Sequence, residues 1–242
     1  MITKNQIKLI ISLNQKKFRT INKLFIAEGE KVIRELLNSK FELEHIYCTD
    51  NIFDDLNFKN VSIICVSDLQ KITALTTANN CLAIFKTIDT KIIYNKGLTL
   101  ILDNIRDPGN FGTIIRICDW FGINQIVCSQ ETVDYFNPKV VQATMGSLTR
   151  VNIVYTDLIN FLEKSNLPIF GTFMDGENIY KSILPENGLI IMGNEANGIS
   201  ENIEKLIKNR LSIPRFGSMQ KTESLNVATA TAIVLSEFNR NK

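Results

Sequence analysis

Leu98-Thr-Leu-Ile-Leu-Asp-Asn-Ile-Arg-Asp-Pro-Gly-Asn-Phe-Gly-Thr-Ile-Ile-Arg-Ile-Cys-Asp-Trp-Phe-Gly-Ile-Asn-Gln-Ile-Val-Cys128 holds the unit from which the larger part of the chain is built. Leu98–Leu102 is an apolar run interrupted only by Thr99, the pattern of a strand buried on both faces. A loop, Asp107-Pro-Gly-Asn-Phe-Gly112, separates it from a helix over Thr113–Phe121, which Gly122 ends at C′. Gln125–Cys128 is the next strand. Strand, helix and strand in so short a span predict two parallel strands joined by a crossover helix.

The alternation continues downstream. Helix Pro138–Leu148, strand Val151–Tyr155 and helix Leu158–Lys164 are followed by strands Ile169–Phe173 and Leu189–Met192. A helix over Glu201–Lys208 and a last strand, Leu211–Ile213, complete the pattern. This predicts a mostly parallel sheet with helices on both faces. Upstream, helical periodicity over residues 4–14 and 28–38 brackets a short strand, Leu24–Ala27. His45–Cys48, Val61–Val66 and Cys81–Phe85 read as further strands, with a short helix from Ser67. Residues 1–90 therefore form a small α/β unit of their own. A polar-interrupted connector, residues 87–97, leads into the second unit, residues 97–242.

Composition bounds what the chain can be. Its 242 residues, 45% of them apolar, describe a globular protein with ample core. No apolar run reaches the roughly 18 residues of a membrane span. The start, Met1-Ile-Thr-Lys-Asn-Gln6, lacks a signal-peptide pattern, so a cytoplasmic protein without membrane partners is expected. The five cysteines, 48, 65, 81, 118 and 128, include no C-x-x-C pair and read as buried free thiols. The one histidine, His45, sits beside acids as a surface or sheet-edge residue. No metal site is expected, and catalysis falls to Arg, Glu, Asn, Ser or Lys.

The net charge of +2 is unevenly spread. Residues 1–40 carry nine basic against three acidic side chains. An aromatic inside the run Lys16-Lys17-Phe18-Arg19 favours RNA phosphate contact over a merely solvated face. A second cluster, Lys205, Lys208, Arg210, Arg215 and Lys221, lies close to the final helix.

Ligand sites in parallel α/β sheets lie past the C-terminal strand ends. The loops after Leu102, Met192 and Ile213 qualify. Neither G-x-G-x-x-G nor G-x-x-x-x-G-K-[ST] is present, which disfavours dinucleotide and P-loop chemistry. A ligand held by backbone groups around an apolar pocket fits better. In the third loop Ser224 is expected to cap a helix that is Ala- and Val-rich on every face, and so buried. Residue type alone leaves several roles open. Arg116 suits a surface ion pair as well as a site, Glu195 a helix cap, Asn194 a turn, and Asn110 and Asn226 strained loop conformations.

Three stretches together carry a resemblance. Leu102–Arg116 resembles the first motif of the SpoU (TrmH) family of RNA ribose 2′-O-methyltransferases. Ile191-Met-Gly-Asn-Glu-Ala-Asn-Gly-Ile199 resembles the second. Ile213-Pro-Arg-Phe-Gly217, continuing to Ser224-Leu-Asn-Val227, resembles the third. Order and spacing match, and the N-terminal unit is similar to the ribosomal-protein-like substrate-binding domain of many members. The resemblance implies a SPOUT-type parallel sheet with a trefoil knot, bound S-adenosylmethionine and a homodimer. It assigns the cofactor to Gly193 and to the backbone around Ile213 and Leu225, with Thr172 as an addition. It assigns the chemistry to Arg116, Glu195, Asn110, Ser224 and Asn226. Glu195 would fix the Arg116 guanidinium plane through a carboxylate fork. Arg116, a very poor base, would stabilise the developing alkoxide or hold the adjacent phosphate. Ala196 departs from the glycine usual after the motif-two glutamate, and the loop from Pro214 to Ser224 is longer than in some members.

The expectation is an S-adenosylmethionine-dependent RNA ribose 2′-O-methyltransferase, acting on ribosomal RNA. Lys16, Lys17, Arg19, Arg215 and Lys221 would contact the RNA. The alternatives are a transfer RNA ribose methyltransferase, a non-catalytic RNA-binding factor, and an α/β enzyme of small-molecule metabolism.

Overall fold

The computed structural model describes residues 2–55, 59–93, 97–217, 219 and 224–240. The chain forms two compact units, Met1–Asp89 with Asp134–Thr149, and Thr90–Val133 with Arg150–Lys242.

The first unit runs α1 (Lys4–Ser12), α2 (Lys16–Asn22), β1 (Leu24–Glu28), α3 (Glu30–Leu37), β2 (Leu43–Cys48), β3 (Val61–Ile63), α4 (Val66–Ile72) and β4 (Cys81–Lys86). Its sheet has the order β1-β4-β2-β3. β4 pairs antiparallel with β1 and β2, while β2 and β3 pair parallel. Successive residues of β1 face opposite ways, so both faces of the sheet are covered. Ile26 joins Ile10, Leu13, Leu69, Ile72 and Leu82 in one core cluster. Phe25 stacks on Phe85 and Phe136 and meets Phe41 edge-on.

Two expected bounds in this unit need correction, and one helix was not foreseen. The basic run forms α2, too short for periodicity to reveal. Helix α3 begins at Glu30, because Glu28 ends β1 and Gly29 turns the chain at φ +85°. The strand from Val61 stops at Ile63, since Cys65 already occupies the N-cap position of α4.

The second unit opens with β5 (Leu98–Leu102), α5 (Pro108–Trp120) and β6 (Gln125–Cys128). Helix α6 (Pro138–Thr144) follows but packs with the first unit, against β1. It stops short of Leu148 because Met145 and Gly146 both take positive φ. The second unit resumes with β7 (Asn152–Tyr155), α7 (Leu158–Glu163), β8 (Ile169–Asn178), β9 (Gly188–Met192), α8 (Glu201–Glu204), β10 (Asn209–Ser212) and α9 (Val227–Asn239). Six strands, ordered β10-β8-β9-β5-β6-β7, are parallel at every pairing. Ile101, Val127, Leu189 and Ile191 share one core cluster with Leu158 and Leu162 of α7 and Ile203 of α8. Helices α5 and α9 pack together, and Phe238 meets Phe170 edge-on at 5.2 Å.

Both helices differ from expectation where they begin. Asp107–Gly112 is no loop: Asp107 accepts a hydrogen bond from the Asn110 N–H, Pro108 occupies the first turn, and the helix starts there. The cap of α9 is Asn226, whose Oδ1 accepts from the N–H of Ala228 and Thr229; Ser224 lies two residues upstream. Nor is α9 buried all round. Val227, Thr231, Val234, Leu235 and Phe238 are buried, whereas Thr229 and Ser236 are exposed. The helix expected to reach Lys208 is the single turn α8, and β8 runs on to Asn178.

Candidate active site

Because every strand of the second sheet runs the same way, the segments after Leu102, Met192 and Ser212 leave at one edge. The first two are tied together at once. The Asp103 N–H donates to the Met192 carbonyl at 3.0 Å, and the buried Asp103 carboxylate accepts from the Ser200 N–H at 2.7 Å. Asn104 takes a left-handed conformation, φ +59°, which asparagine tolerates better than most residues. Its N–H donates to Ser129 Oγ at 2.9 Å, and its carbonyl accepts from Asn194 Nδ2 at 2.7 Å.

Asn194 in turn shapes the second loop. Its Oδ1 accepts from the N–H of Ala196 and Asn197, and its backbone exchanges two hydrogen bonds with Gly198. A Cβ at Gly193 would overlap the backbone of Gly198 and Ile199, so this closed loop itself requires glycine there.

Three side chains then join the three segments. Asn226 Nδ2 donates to Asn110 Oδ1 at 2.8 Å, and Asn110 Nδ2 donates to Glu195 Oε1 at 3.0 Å. The direction of this relay is forced. Asn226 commits its oxygen to capping α9, so only its NH2 can face Asn110. Asn110 must then turn its own NH2 to the carboxylate. Helix α5, helix α9 and the loop after β9 are thereby held in one register by a chain that ends on a charge.

The expected site residues divide on inspection. Asn110, Glu195 and Asn226 come together. Arg116 is exposed on α5, and among the described residues Glu195 binds Asn110 rather than forming the expected fork with Arg116. Ser224 is exposed, and Leu225 is 48% exposed. Ile213 is half-buried just past β10, and half-buried Thr172 lies within β8, its Oγ1 3.8 Å from Met192 Sδ.

Of the expected RNA contacts, Lys16 and Lys17 are exposed on α2. Arg215 is exposed, with Nη2 3.8 Å from Met174 Sδ. Lys221 lies outside the described residues. Arg19 is a correction: it is 3% exposed, donates Nε to Asp134 at 2.9 Å and Nη1 to the Leu13 carbonyl at 2.8 Å. A guanidinium so enclosed is a strut of the first unit.

Sequence reasoning missed Asp103 and Asn104 and reduced Asn194 to a turn former. The available signal was an Asp-Asn pair at the end of a buried strand, where a carboxylate and a residue tolerant of positive φ both have uses.

Burial pushes the Cys118 and Cys128 thiols well above their ordinary range, so neither supplies a thiolate. His45 belongs to the first unit, bonds Ser62 Oγ and is held below the usual imidazole value by burial. Among the described residues no three His, Cys, Asp or Glu side chains gather to hold a metal, and no helix is long and apolar enough to cross a membrane.

Known proteins show the same architecture. Residues 97–236 match the SpoU rRNA Methylase family, and residues 4–83 match the MRM3-like substrate binding domain. The 23S rRNA (guanosine(2553)-2′-O)-methyltransferase of Bacillus subtilis is 29% identical over 230 residues, which are 92% of this chain and 91% of that protein. A TrmH-family structure from Porphyromonas gingivalis superposes with a TM-score of 0.91 at 36% identity, covering 100% of both chains. The AdoMet-bound rRNA methyltransferase of Sinorhizobium meliloti gives 0.87 at 27% identity, over 99% of this chain and 96% of that one. With its three motif segments gathered at one sheet edge and the match spanning the whole second sheet, this chain belongs to the SpoU rRNA methylase family.

Proposed function

We propose that this protein transfers a methyl group from S-adenosylmethionine to a ribose 2′-hydroxyl of ribosomal RNA. The observation that carries the reading is the Asn226–Asn110–Glu195 relay, which locks all three motif segments at the C-terminal edge of a parallel sheet.

The residues at that edge fit the cofactor's chemistry. S-adenosylmethionine carries no phosphate, and these loops have no glycine-rich phosphate cradle. Leu225 is apolar yet 48% exposed, and Ile213 is half-buried beside backbone that has left the sheet, which suits a purine ring. Gly193, Ile213 and Leu225 would hold the cofactor, with Thr172, whose Oγ1 meets Met192 Sδ, as an addition. When bound, the cofactor supplies an electrophilic methyl group.

The chain's own residues do the rest. Arg116 is exposed and has no carboxylate partner among the described residues, so its full charge is available to an oxygen that is losing its proton. A guanidinium does not take up that proton, so bulk water receives it. Asn110 and Glu195 orient the substrate-facing loops, Asn226 holds them to α9, and Ser224 contacts substrate ahead of the cap. Lys16, Lys17, Arg215 and Lys221 would bind the RNA backbone, with residues 1–90 as the recruiting domain and 97–242 as the catalytic one. The reading includes the family's trefoil knot, a homodimer and a cytoplasmic location.

The test is methyl transfer from labelled S-adenosylmethionine to unmodified total RNA, mapped by resistance of the modified ribose to alkaline cleavage. Wild type is expected to label one ribosomal position, and Arg116→Ala to lose about 10²–10³-fold in turnover. Absence of both label and cofactor binding overturns the reading. Near-full turnover by Arg116→Lys overturns the role of Arg116.

A further inference from the structure

We infer that Arg106 is a phosphate-binding residue that grips the RNA strand beside the target nucleotide, with Asn104 as the residue that aims it. The inference rests on the RNA substrate proposed above and adds a contact that the three motifs do not assign.

The chain's eight arginines separate by what they hold. Arg19, Arg34, Arg150, Arg210 and Arg240 each pair with a carboxylate of their own unit. Arg215 meets a methionine sulfur. Among the described residues, only Arg106 and Arg116 have neither a carboxylate nor a sulfur against them, and both belong to the segment that carries Asn110. Asp107, the nearest acid in sequence, directs its Oδ1 to the Asn110 N–H at the start of α5.

Arg106 is nevertheless oriented. Its Nε donates to Asn104 Oδ1 at 2.9 Å, and that is its one hydrogen bond among the described residues. An amide acceptor fixes the guanidinium plane without cancelling its charge, as a carboxylate would. The two terminal nitrogens, whose fork geometry matches a phosphodiester, stay available. The support is itself rigid. Asn104 is pinned at its N–H by Ser129 and at its carbonyl by Asn194, the residue before the Glu195 that ends the relay. An exposed cation on so built a base crosslinks nothing, since its single bond reaches back only two residues. A phosphate gripped there lies next to the ribose that the relay serves.

The test compares wild type, Arg106→Ala, Arg106→Lys and Asn104→Gly. Filter binding of unmodified total ribosomal RNA is followed across salt concentration, with RNA KM and kcat measured alongside. Arg106→Ala is expected to raise Kd and RNA KM about tenfold and to flatten the log–log salt slope by about 0.7, one phosphate's worth on a single strand. Its kcat should stay within about twofold, and Arg106→Lys should recover part of the loss as a point charge without the fork. Asn104→Gly keeps a backbone at ease with positive φ but removes the acceptor. It should weaken RNA binding in the same direction by a smaller factor, and add nothing to Arg106→Ala in the double variant.

An unchanged salt slope and KM in Arg106→Ala overturns the assignment, as does a fall in kcat with KM intact. If wild type binds RNA with this dependence on Arg106 yet transfers no methyl group, the phosphate contact stands and the methyltransferase reading falls. If wild type binds no RNA, both fall.

Discussion

In the first unit's sheet β4 runs against both its neighbours, whereas in the second every neighbouring pair runs parallel. In an antiparallel pair the chain ends alternate between the two edges, so polar loop residues are dispersed. In the parallel sheet every strand delivers its following segment to the same edge, which is how Asn110, Glu195 and Asn226, far apart in sequence, become neighbours. Particular arginines offer a second contrast. Arg19 is enclosed by Asp134 and serves the packing of the first unit, while Arg106 and Arg116 stay exposed in the second. The enclosed arginine holds its unit together, and the two exposed arginines keep their charge available.

The sharpest way to break this contrast is to remove one member of the enclosed pair. Asp134→Ala leaves the 3%-exposed Arg19 without its carboxylate and is expected to cost about 3–5 kcal/mol in urea unfolding. Arg116→Ala, on an exposed helical position, is expected to stay within about 0.5 kcal/mol of wild type in the same experiment. Equal losses in the two would erase the distinction.

A smaller effect separates capping from relay at Asn226. Asn226→Ala should lose about 1 kcal/mol of stability with the cap. Asn226→Asp keeps the capping oxygen but has no NH2 for Asn110, so stability should hold while turnover falls by about a hundredfold through misplacement. If the aspartate variant turns over normally, the relay has no positioning role.

The smallest effect is electrostatic and belongs to the first unit. Glu28 is buried at the end of β1, where Thr73 Oγ1 and the Ala74 N–H donate to it. Burial raises its carboxyl above the ordinary range, and the two hydrogen bonds offset this only in part. The folded unit therefore keeps a proton at pH values where the unfolded chain has released it. Glu28's contribution to stability is full below the ordinary carboxylate range and is lost as pH rises through the raised value. Thermal midpoints of Glu28→Gln should lack that decline, and parallel profiles would refute the assignment.

How much of this the sequence carried depends on the range of the forces involved. The parallel sheet was legible because strands covered on both faces are almost wholly apolar, as in Leu98–Leu102. Asn110, Glu195 and Asn226 were legible as a group through the family resemblance of the motifs that carry them. The partner of each was not. Ser224 and Asn226 are both good capping residues, and the choice between them turns on an amide that also reaches Asn110, 116 positions away. Arg19 looked like an RNA contact because its local run is basic, and the Asp134 that encloses it is 115 positions distant. Asn104 and Arg106 stood in plain sight inside a motif, but only the fold shows which neighbours hold them.

The chain has a single tryptophan, Trp120, and it is the last residue of α5, 85% exposed. The helix that presents Asn110 and Arg116 therefore ends in the molecule's only indole, bathed in water. Its emission should be that of a solvated fluorophore, accessible to iodide and acrylamide, with no second tryptophan to dilute the signal. Any event that covers that end of the helix, whether by RNA or by another copy of the chain, becomes visible as a blue shift and as protection from quenching, without attaching a dye.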